Sequence, residues 1–149
     1  MPAPLRYCLC TTEEQYRKAM QQAGKDYPTP FVNEGAHATT HYLPAGKDRP
    51  KSLCIVCIKC DPNCDKIAHF ALLVHECSHI LRYMLQEWGE TEPGDEMMAY
   101  TIQEISLNLM DDLNMYFEQN PDAYLHDRKH HQARRNVVRR RGRNNAKRT

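Results

Sequence analysis

The chain has 149 residues, 41% hydrophobic and 26% charged, which fits one domain with a modest core and argues against wholesale disorder. No apolar run approaches the ~20 residues of a membrane-spanning helix. Met1 to Cys10 carries one charge and no long apolar stretch, a poor match to a signal peptide. Seven cysteines, an odd number, argue against a fully paired secreted disulfide framework, so the reading is cytosolic. The net charge of +1 conceals a division. Residues 1–127 hold all 19 acids and ten of the 20 basic residues, a net −9, and residues 128–149 hold the other ten with no acid. The expected organisation is an acidic domain over 1–127 and a basic tail over 128–149.

In chain order, Thr11-Thr12-Glu13-Glu14 reads as a capping box opening a helix that Gly24 ends. Tyr27-Pro28-Thr29-Pro30 is a loop, because each proline biases the residue before it away from helix. Ala38 to Leu43 is Thr- and Tyr-rich and reads as a strand. Ser52 to Lys59 is an apolar, β-branched run and the stronger strand candidate. Ile67 to Trp88 places apolar residues at helical spacing, with Gly89 as its stop. Glu96 to Gln119 repeats the pattern before Asn120-Pro121 closes it, and the short link between the two helices makes them packing neighbours.

The chemistry concentrates in the first long helix, at His75-Glu76-Cys77-Ser78-His79. Residues four apart share a helical face, so both imidazoles can reach one metal ion while Glu76 lies beside them. Leu72, Leu73 and Val74 before the motif and Ile80 and Leu81 after it embed the site in an apolar helix, which restrains the ligands. A catalytic zinc takes three protein ligands and keeps a position for water. Glu96, 17 residues after His79 on the next helix, is the chosen third ligand over Glu92 in the link. Its bland alternative is a first-turn acid that favours the helix dipole. Tyr100, one turn after Glu96, is a candidate oxyanion donor or else a core tyrosine. His41 is a group beside the site or, more simply, a structural histidine.

LLVHECSH followed by GETEPGDEMMAYTIQEI, with GAHATTHY and the VCI of the preceding strand, resembles a group of small HExxH proteins of tailed bacteriophages classed as metallopeptidases. The likeness covers about residues 35–110. The later Glu96-x-x-Ala99-Tyr100 is also similar to ImmA/IrrE-type gluzincins. The resemblance implies an α+β, zincin-like fold, a small antiparallel sheet packed on two long helices. It implies Zn2+ held by His75, His79 and Glu96, with Glu76 as the general base of peptide hydrolysis. The phage group has Ala-Val where this chain has Cys77-Ser78, a replacement that keeps both positions small and uncharged. The resemblance also implies a phage-encoded protein of the host cytoplasm acting on a peptide or protein substrate. The alternative is a virion structural or assembly component, in contact with other virion proteins, whose zinc site is structural or vestigial.

Two further features stand apart. Cys54-x2-Cys57-x2-Cys60-x3-Cys64 has the spacing of a ferredoxin half-motif, but Asp65 stands where that motif has proline. Residues three apart on a strand also point to opposite faces, so core packing is the preferred reading over an iron–sulfur cluster or a second zinc. The tail, with Arg134, Arg135, Arg139, Arg140, Arg141 and Arg143, has the charge of a non-specific nucleic-acid contact but no aromatics for base stacking.

Overall fold

The computed structural model describes residues 3–26 and 29–126. Its elements are β1 (Leu5–Cys10), α1 (Glu13–Gln22), β2 (Ala38–Leu43), β3 (Ser52–Ile58), α2 (Lys66–Trp88) and α3 (Asp95–Gln119), followed by a short 3-10 turn. The basic tail lies outside the described residues. No described helix is long and apolar enough to cross a membrane.

The three strands form one sheet in the order β1-β3-β2. β3 is central, and its almost unbroken buried run follows from helices covering both faces. β2 pairs with it antiparallel, Ala38 opposite Ile58 and Leu43 opposite Leu53. β1 pairs with it parallel, from Leu5 opposite Ser52 to Cys10 opposite Cys57. The sheet is therefore mixed, which corrects the antiparallel expectation. The first strand was missing from that expectation because LRYCLC is short and lacks clean alternation. A parallel partner also arrives only through a crossover, which local pattern does not announce.

Alternation along the strands sorts the side chains into two cores. Leu5, Ala38, Cys54, Val56 and Ile58 face α2 and α3, where they meet Leu73, Cys77, Ile80, Leu109, Leu113 and Phe117. Cys10, Leu43, Ile55 and Cys57 face α1, where they meet Tyr16 and Met20. The architecture is a three-layer α+β arrangement with α1 on one face and the α2–α3 hairpin on the other.

The helix boundaries follow local chemistry. Thr12 caps α1 by accepting from Gln15 N at 3.2 Å, and the Gln15 side chain accepts from Thr11 N at 2.8 Å, so the capping pair sits one residue later than expected. Asp65 caps α2 by accepting from Ala68 N at 2.8 Å. Gly89 closes α2 at φ 68°, a left-handed conformation that glycine adopts without steric cost.

The hairpin runs antiparallel. Lys66, at the start of α2, reaches Asn114 and the Phe117 ring near the end of α3. In mid-helix, Cys77 lies against Ser106. At the other end of α2, Glu87 accepts from Ser52 Oγ at 2.5 Å and from the Tyr42 hydroxyl, which ties the helix to both β3 and β2.

Candidate metal centre

On α2, Cys77 points into the core at 0% exposure and Glu76, one residue back, is turned toward the sheet at 4%. His75 and His79 lie two residues either side of Cys77, about 200° around the helix, and so fall on the face away from α3. His75 is exposed and His79 half-buried. Their rings approach edge to face with centroids 5.2 Å apart. Ligand atoms of His75, Glu76 and His79 all lie within 4.8 Å of one another, the one such group of three or more among the described residues. The i, i+4 spacing thus brings both imidazoles and the carboxylate together. Two imidazole nitrogens on one helical face, with a carboxylate beside them, suit a divalent transition metal.

Glu76 is held by a residue the sequence did not single out. Thr40, on the α2-facing side of β2, donates its hydroxyl to Glu76 Oε2 at 2.6 Å. A buried carboxylate needs such a donor. The alternation of β2 was the available signal, since Thr40 shares a face with Ala38 and Tyr42. The same alternation sends His41 to the opposite face. There it stacks on Tyr16, centroids 4.8 Å apart, and its Nε2 bonds the Phe31 carbonyl at 3.0 Å. His41 is a structural residue on the far side of the sheet.

Glu96 is not in the close group. The hairpin register gives the reason. With Cys77 level with Ser106, His79 is level with residue 104, and Glu96 lies eight residues short of that, about 12 Å along the axis. Glu96 is exposed in the first turn of α3 beside Asp95, where its charge favours the helix dipole. Tyr100 is 67% exposed on the same helix, so it is no core tyrosine. Asp111 and Asp112, farther along α3, are exposed.

The cysteine run separates as the strand geometry requires. Cys54 lies in the core facing α2, and Cys57 in the core facing α1. Burial alone raises the Cys60 thiol to about 11. Burial chiefly raises Cys77, which the Ser106 hydroxyl partly offsets. His69 is buried and fully used: Nδ1 donates to the Asp65 carbonyl at 2.8 Å and Nε2 accepts from Asp61 N at 2.9 Å. The arginines from Arg134 to Arg143 lie outside the described residues.

No protein-family model matches the chain, no curated protein matches it in sequence at a significant level, and no solved structure matches its fold at a significant level.

Proposed function

We propose that this protein is a zinc-dependent, peptidase-like hydrolase of the phage HExxH type, with His75 and His79 as metal ligands and Glu76 as general base. The observation that carries the reading is the close approach of two imidazoles and one carboxylate on a single helical face, with the carboxylate buried and held. Zinc, when bound, supplies a more acidic water and polarises the scissile carbonyl. Thr40 occupies Oε2 of Glu76, which leaves Oε1 to take the proton from the attacking water and return it to the leaving amine. His79, half-buried, is the better shielded ligand, and exposed His75 leaves room for solvent and substrate. With Glu96 about 12 Å away along the hairpin, His75 and His79 are the residues that would hold the metal, and no carboxylate from the start of α3 joins them.

The test is metal analysis of protein prepared without added zinc, together with peptide-library hydrolysis. Wild type binds one equivalent, His75→Ala and His79→Ala lose it, Glu96→Ala keeps it, and Glu76→Gln keeps the metal while losing hydrolysis. Equal metal content in the two histidine variants and wild type refutes the site. Metal binding in which Glu76→Gln and wild type are equally inert refutes the hydrolase and leaves a structural metal.

A further inference from the structure

The outer face of α3 carries an apolar row that no described element covers. Ile105, Leu109, Leu113 and Phe117 turn one side of the helix into the core. On the opposite side Tyr100, Leu107 and Met115 are 67%, 67% and 51% exposed, three of the five large hydrophobic side chains that stand exposed among the described residues. At about 100° per residue, the three fall within an arc of about 80°. Glu96, Glu104, Asp111 and Glu118 lie on the same stripe, each three or four residues from an apolar neighbour, so carboxylates and apolar side chains alternate along it. All four acids are exposed, and none has an ion pair among the described residues. The whole of α3 holds six acids and no lysine or arginine.

We propose that this face is the docking surface for the chain's own basic C-terminal segment, residues 128–149, bound intramolecularly. Charge selects the occupant. A second copy presenting the same face would set six acids against six, and nucleic acid is repelled for the same reason. Residues 128–149 include ten lysines and arginines and no acid. Their one pair of large apolar residues, Val137-Val138, stands between Arg134-Arg135 and Arg139-Arg140-Arg141. That order of charge, apolar, charge complements the carboxylate, apolar, carboxylate order on α3. Eight of the ten cations are arginines, whose guanidinium pairs with carboxylates in a fork and lies flat on a tyrosine ring such as Tyr100. Length and attachment allow the contact. A 3-10 turn follows α3 directly and the described chain ends at His126, so the segment is attached at the Glu118 end of the stripe. The 22-residue step from Glu96 to Glu118 is about 33 Å of helix, whereas 22 residues of extended chain reach about 70 Å. Tethering also holds the segment at roughly millimolar local concentration, ahead of a free basic partner.

The experiment uses the full-length protein and two readouts, carbon-13 NMR of labelled methionine methyls and limited trypsin digestion of the basic segment. At about 0.1 M salt the Met115 methyl signal of wild type differs from that of a variant carrying Arg→Gln at 134, 135, 139, 140, 141 and 143, while buried Met84 stays in place. At about 1 M salt, where the Debye length falls to about 3 Å, the wild-type Met115 signal moves to its position in that variant. At the lower salt, trypsin cuts the segment about tenfold faster in Glu104→Gln/Leu107→Ser/Asp111→Asn than in wild type. All three positions are exposed, so the substitutions spare the core. Glu13→Gln/Glu14→Gln, on α1, digests as wild type does. Identical Met115 signals in wild type and the arginine variant overturn the proposal, as do equal digestion rates of wild type and the α3 variant. Protection that disappears on tenfold dilution puts the segment on a second copy and overturns intramolecular docking. Protection lost with the α1 variant puts it on another acidic surface, with the same consequence.

Discussion

The hydrogen bond from Thr40 to Glu76 joins the edge strand to the helix that carries the candidate metal centre, and Thr40→Val removes it with little change of shape. The hydroxyl donates at 2.6 Å to a carboxylate that is 4% exposed, so water has little access to replace it. Hydrogen bonds to charged groups contribute about 1.5–3 kcal/mol, and a buried acceptor left unsatisfied incurs a cost in the same range. For a chain of this size each kcal/mol shifts Tm by about 2–4 °C, so the variant melts about 3–12 °C lower. Urea titrations of chelator-treated protein read the difference at constant slope. A double-mutant cycle with Glu76→Gln separates the pairwise part, and the expected coupling is at least about 1 kcal/mol. A Thr40→Val midpoint within about 0.5 kcal/mol of wild type, or zero coupling in the cycle, refutes the claim that Thr40 holds the carboxylate.

Three other outcomes follow from single residues. The Ser52 and Tyr42 hydroxyls hold the Glu87 carboxyl below its ordinary value, so its contribution is present above the unfolded-state value near 4.5 and lost as pH falls through the lower folded value. Glu87→Gln therefore flattens the acid limb of the stability curve, by less than about 1 kcal/mol because the group is exposed. Burial raises Cys54 from 9.0 to about 12, so between those values the folded state holds a proton that the unfolded state has released, and stability falls with rising pH. Cys54→Ala makes that alkaline slope shallower by up to about 1.4 kcal/mol per pH unit, measured by denaturant midpoints from pH 9 to 11. Gly89→Ala places a Cβ at φ 68° and destabilises the end of α2 by about 1 kcal/mol, while a neutral thermal shift speaks against that strain.

Whatever depends on neighbours along the chain was legible in the residues. The two long helices, their glycine stop after Trp88, the central strand from Ser52 and the sharing of one helical face by His75 and His79 all follow from periodicity and caps. So did the splitting of Cys54 from Cys57, because alternation along a strand is local geometry. What α2 meets was decided by tertiary structure. The parallel pairing of β1 with β3 and the donation from Thr40 to Glu76, 36 positions apart, depend on how separate elements dock. The adjacency of Cys10 and Cys57 likewise depends on that docking. The position of Glu96 is the clearest case. Its spacing from His79 suited a third ligand, but the hairpin register that places Cys77 beside Ser106 is set by side-chain packing along both helices. A helix rises about 1.5 Å per residue, so that register alone determines whether a carboxylate lies beside His75 and His79 or about 12 Å along the helix from them.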